Sequence, residues 1–103
     1  MAIFSVLYPA REGAKFDHDY YAAVHIPMVR KGFEPTGLTD VKVLRGVPGP
    51  DGGPPPFVAM VHLTFRDAEA LGASLGGPAA PAILADVAKF TDITPITQVS
   101  VAG

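Results

Sequence analysis

Phe57-Val58-Ala59-Met60-Val61-His62-Leu63-Thr64-Phe65 alternates in a way that only a strand uses. Successive side chains leave a strand on opposite sides. Phe57, Ala59, Val61, Leu63 and Phe65 therefore share one face, and Val58, Met60, His62 and Thr64 share the other. The first set is uniformly apolar and calls for helices packed over it. The second is mixed and carries a histidine.

Working outward toward the N-terminus, Pro48-Gly49-Pro50-Asp51-Gly52-Gly53-Pro54-Pro55-Pro56 cannot continue a strand. It reads as an extended, mobile hairpin loop over residues 48–56, longer than the roughly two to five residues usual in hairpins. It is either an inert insertion or a cover for a cavity mouth. Before it, Leu38 to Val47 forms the partner strand, with Val41, Val43, Arg45 and Val47 on one face. On the C-terminal side, Asp67 caps a helix from Ala68 to Leu75, closed by Gly76-Gly77-Pro78. Pro81 to Phe90 holds a second helical piece with Ile83, Leu84 and Val87 on its apolar side. Ile93 to Ala102 is a last strand, in which Gln98 and Ser100 alternate against Val99 and Val101.

The N-terminal half begins with a strand from Ile3 to Tyr8, ended by Pro9. A polar connection leads to Phe16-Asp17-His18-Asp19-Tyr20-Tyr21-Ala22-Ala23-Val24-His25-Ile26-Pro27-Met28-Val29. Asp17 can accept a hydrogen bond from a first-turn amide, so a helix starts there and runs to about Gly32. Phe16 and Tyr21 have the spacing of a hydrophobic staple. Tyr21 and His25 share one helix face, with Val24 and Met28 beside them. Pro27 leaves the Ala23 carbonyl without its amide partner and favours a kink or an early end. The stripe reads either as core or as a site carrying one imidazole.

The order strand, helix, strand, strand, helix, strand is α+β, a ferredoxin-like βαββαβ pattern with a four-stranded antiparallel sheet and helices on one face. The bare face needs a cover. In a chain of 103 residues the natural cover is a second copy, giving a homodimeric α+β barrel with Met60, His62, Gln98 and Ser5 inside.

Residues 1–103 read as a single domain, with an apolar share of 49% and a charged share of 17%. A net charge of -2 with eight scattered Lys and Arg argues against nucleic acid as a partner. No apolar run approaches the roughly 18 residues of a membrane span, so no membrane partner is expected. Met1-Ala2-Ile3-Phe4 enters a strand without a basic region, so no signal peptide is expected and the default location is cytoplasmic. With no cysteine, disulfides and thiolate chemistry are excluded.

Val6-Leu7-Tyr8-Pro9, Gly13 and Phe16-Asp17-x-x-Tyr20-Tyr21-x-x-x-His25-x-Pro27-Met28-Val29 resemble a first EthD-family signature. Asp86-Val87-x-x-Phe90-Thr91-x-Ile93-x-Pro95-x-x-Gln98 resembles that family's second signature. The resemblance covers both ends of the chain in the right order. It implies a dimeric α+β barrel of ferredoxin-like subunits. The founding member belongs to a bacterial ether-degradation gene cluster, and related barrels include cofactor-free monooxygenases, muconolactone-type isomerases and haem-binding branches. His25, Tyr20 and Tyr21 carry over as site candidates, and Gln98 lies in the second signature.

The chemistry open to these residues is proton transfer. A neutral imidazole takes a proton from a carbon or oxygen acid and returns it. Tyr hydroxyls and Gln98 can hold a developing enolate oxygen. Met60 and Val58 suit a hydrophobic or aromatic ligand. That set fits an isomerase or a cofactor-independent oxygenase with His25 as acid/base and Tyr20, Tyr21, Met60, His62 and Gln98 binding substrate. A lone histidine on a strand such as His62 is more often a satisfied core histidine. No metal site is expected, because His18 and His25 lie roughly 10 Å apart along a helix, and no cofactor is called for. The competing reading is a non-catalytic binder of a small hydrophobic molecule, or an accessory protein of an oxygenase.

Overall fold

In the computed structural model, which spans residues 1–103, four strands pair into one antiparallel sheet. They are β1 (Ala2–Pro9), β2 (Leu38–Arg45), β3 (Phe57–Phe65) and β4 (Ile96–Val101), in the order β2-β3-β1-β4. β1 and β3 are central, since both of their edges are paired. The register sets Phe4 opposite Leu63, Ser5 opposite His62 and Val6 opposite Val61. On the other side of β1, Ser5 faces Gln98 and Val6 faces Thr97.

Three helices cover one face: α1 (residues 18–33), α2 (Ala68–Leu75) and α3 (Ala80–Asp86), the last continued by a 3₁₀ turn, Val87–Lys89. Ala59, Val61, Leu63 and Phe65 of β3 are buried beneath Tyr21, Ile26, Val29 and Phe33 of α1, as the alternation predicts. On the opposite face Met60, His62 and Thr64 are only half-buried, and no helix lies over them.

Asp17 caps α1 by accepting from the Tyr20 amide at 3.0 Å, and Phe16 meets Tyr21 with ring centres 5.1 Å apart. Pro27 neither ends nor truncates the helix. Instead the chain widens into a π turn, Tyr21–His25, in which the Ile26 amide donates to the Tyr21 carbonyl, and α-helix resumes over Ile26–Phe33. The π turn changes which residues face inward. In an unbroken α-helix, positions four apart drift by about 40° per step. One wider turn cancels that drift, so Tyr21, His25, Val29 and Phe33 are all buried. The same rotation turns Val24 out to 40% exposure, where an α-helical stripe would have kept it inside.

Other boundaries move for local reasons. β2 stops at Arg45 rather than Val47; Gly46 makes the last bond to β3, donating to the Val58 carbonyl at 2.9 Å, with its backbone so close that a Cβ would run into the Phe57 carbonyl oxygen. β4 begins at Ile96 rather than Ile93, because Pro95 has no amide and the Ile93 amide is taken by the Thr91 hydroxyl at 3.0 Å. Leu84, placed on the apolar side of its helix by sequence, is 68% exposed. The 48–56 loop is folded on itself. Gly49 donates to the Gly53 carbonyl at 3.0 Å, Asp51 accepts from the Gly53 amide at 3.0 Å, and Ala10 donates to Pro56 at 2.9 Å.

Candidate active site between the helices and the sheet

The inward line of α1 roofs a cavity of about 220 Å³ whose floor is the packed face of β1 and β3. Fourteen of its 17 lining residues are hydrophobic, and none is Asp, Glu, Lys or Arg. Among them stands His25, 5% exposed, with its ring 5.6 Å from Tyr21 in a near-parallel stack and 4.7 Å from Phe90.

His25 Nδ1 lies 3.0 Å from Asp86 Oδ2, and the Tyr20 hydroxyl donates to Asp86 Oδ1 at 2.8 Å. Asp86 ends α3 and is itself only 5% exposed. Burial alone would push its carboxyl up; the bonds from Tyr20 and His25 and the nearby positive charge of Lys89 outweigh this and hold it below its ordinary value. A carboxylate on Nδ1 selects the tautomer with the proton on Nδ1, which leaves Nε2 with a free lone pair. Nε2 has no hydrogen-bond partner in the protein and is not sealed from solvent. A buried, oriented imidazole with a carboxylate behind it and an apolar cavity in front is equipped to accept a proton.

Two phenols beside the cavity stay neutral. Burial pushes Tyr8 up to about 12, against a smaller opposing effect of the adjacent Tyr21 hydroxyl. Burial raises Tyr21 as well. The Tyr21 hydroxyl is walled off without an aligned partner, so this residue gives the cavity its ring and not its oxygen. Tyr20 does not line the cavity, and its phenol is raised chiefly by the bond to Asp86.

The residues singled out from sequence therefore fall into two groups. His25, Tyr21 and Tyr20 lie on the helix side of the sheet. Met60, His62 and Gln98 lie on the other, because His62 and Gln98 both pair with Ser5, whose neighbours Phe4 and Val6 point at the helices. His62 is occupied there by Ser5, whose Oγ is 2.7 Å from Nδ1. Gln98 Nε2 donates to Ser100 Oγ at 3.0 Å on the exposed edge strand. Within one chain, neither reaches the His25 cavity. Asp86 is the residue that sequence reasoning left without a role. It stands 61 positions from His25, and its one signal was its place at the head of the second signature.

A one-sided sheet roofed by helices, with an apolar cavity and one oriented histidine between the layers, defines a ferredoxin-like α+β protein with a candidate site between its layers. The EthD-domain family model matches residues 12–94, and the chain belongs to the EthD family. It is 38% identical to an EthD-like protein from Ralstonia eutropha, with a TM-score of 0.88 over 96% of this chain and 88% of that one. An EthD-family protein from Bacillus halodurans is 25% identical, with a TM-score of 0.77 over 100% of this chain and 99% of that one. SnoaB, a cofactor-independent oxygenase from Streptomyces nogalater, shares the fold at 12% identity, with a TM-score of 0.66 over 98% of this chain and 90% of that one. None of the curated proteins matches in sequence. No single helix is long and apolar enough to cross a membrane.

Proposed function

We propose that this protein binds a small hydrophobic molecule in the cavity under α1 and moves a proton at it, with His25 as the acid/base. The observation that supports this reading is the Asp86–His25 pair, which holds a cavity-lining imidazole by Nδ1 and leaves its Nε2 unbonded. His25 Nε2 takes a proton from a weakly acidic C–H or O–H. Asp86 stabilises the imidazolium that results, and Tyr20 holds Asp86 in place. The conjugate base of the ligand then either regains the proton at another atom, an isomerisation, or reacts with dioxygen, an oxygenation without a cofactor. The fold shared with a cofactor-independent oxygenase is in keeping with the second course.

We also propose that two copies pair through the bare sheet face, placing Met60, His62 and Gln98 at the subunit interface and away from the reacting atoms. Half-buried Ile3, Leu7, Val58 and Met60 leave an apolar surface there that one chain does not cover.

The test is exchange of an activated C–H for solvent deuterium in single-ring ketones such as phenylacetone, followed by NMR. The protein is expected to accelerate exchange on the order of 10²–10⁴-fold, and a folded His25→Ala variant to lose that acceleration. Equal rates in the two proteins would overturn the acid/base role and leave a non-catalytic binder.

A further inference from the structure

The cavity has a polar end and an apolar end. Thr97, its one aliphatic hydroxyl, pairs with Val6, next to the stretch of β1 that carries Tyr8. The Tyr8 ring lies 6.0 Å from Tyr21, which in turn stacks on His25. Toward the other end the lining is Val29, Phe33, Leu63 and Leu75, with no polar atom on any side chain. From His25 to Phe33 the helix rises about 12 Å. The size is equally informative. An apolar cavity of about 150 Å³ accepts benzene, so 220 Å³ holds one ring with a few further carbons and not a fused polycycle. No lysine or arginine lines it to balance a carboxylate or a phosphate, and its one imidazole already has Asp86 as a partner, so a charge moved out of water into such a space costs far more than its contacts return.

Resting on the reading of this cavity as the ligand site, we infer that its ligand is an uncharged single-ring compound. Its polar substituent lies between His25 and Thr97, and a short apolar chain points along α1 toward Phe33 and Leu75. Selectivity then comes from the apolar end, whose length limits the chain it takes, and from the absence of a free countercharge.

Calorimetric titration of the unaltered protein with phenol and its 4-alkyl homologues up to hexyl reads this directly, with 4-hydroxybenzoate as the charged comparator. Affinity is expected to rise about fourfold per methylene while the chain finds apolar surface, equivalent to about 0.8 kcal/mol per buried CH₂. It should fall again before hexyl. 4-Hydroxybenzoate is expected to bind at least on the order of 100-fold more weakly than 4-methylphenol. Leu75→Phe should move the break to shorter chains, and Thr97→Val should weaken every phenol without moving it. A flat series, a rise unbroken to hexyl, or equal binding of the carboxylate would overturn the inference. If Leu75→Phe does not fold, the break in the unaltered protein still decides. A broken series without proton exchange at any ring would remove the acid/base role and keep this ligand class; exchange with a flat series would do the reverse.

Discussion

Asp86 shows most sharply how one side chain sets the chemistry of another. Replacing it by Asn keeps the shape and the acceptor for Tyr20, but presents an amide N–H₂ to His25 Nδ1 or a weaker acceptor in place of a charge. The favoured tautomer then has its proton on Nε2 and its lone pair turned away from the cavity. Asp86→Asn is therefore expected to lose on the order of 10²–10⁴-fold in proton exchange while binding neutral rings nearly as well, as paired kinetics and calorimetry would show. The same carboxyl links folding to pH. It is held below the ordinary value of 3.8, so protons bind the unfolded chain more readily than the folded one. Its contribution is complete above that ordinary value and is lost as pH falls through the lower folded one. Asp67, held down by the Ala70 amide, and Asp92, held down by the Lys15 amide, act with the same sign. Thermal melts should fall steeply below about pH 4, and less steeply in Asp86→Asn.

At the scale of elements, the π turn does what no single residue does: it brings four positions of α1 onto one line above the sheet. Pro27 made a disturbance legible in sequence, because a missing amide must be accommodated somewhere. Whether the helix would end, kink or widen depended on the sheet beneath, which rewards keeping Val29 and Phe33 buried. The exit from α1 is a second constraint of this kind. Gly37 follows the 3₁₀ turn Glu34–Thr36 at φ 112°, and a Cβ there would stand 2.5 Å from that of Ala70 on α2. Gly37→Ala combines a left-handed strain with a clash between elements and should cost about 1–3 kcal/mol. Its melting midpoint should drop by at least about 4 °C, with phenol affinity unchanged in the folded fraction.

For the whole molecule, the open question is the bare face of the sheet. If a second copy covers it, a charge set into that face should prevent pairing without touching the cavity. Met60→Glu is expected to sediment as a monomer at concentrations where the unaltered protein sediments as a dimer, and the dimer's midpoint should rise with protein concentration. A monomer in both would remove the homodimer proposal. His62 and Gln98 belong to this scale. Sequence joined them to His25 in one ligand site, taking His62 and Gln98 from the mixed sheet face and His25 from the helix motif, yet the sheet itself stands between them.

Alternation with period two and helix spacing are local properties, and they suffice to settle the element order, the antiparallel sheet, the packed face of β3 and the cap at Asp17. Each depends on residues within a few positions of one another, so a sequence carries them openly. The Asp86–His25–Tyr20 arrangement depends on α3 returning over α1 after the whole sheet has formed, and no local spacing encodes a contact 61 residues long. The inward line of α1 likewise depends on a π turn that the helix adopts only against its floor. Those two features, fixed by packing between layers, turned an aromatic stripe with one histidine into a cavity with a direction.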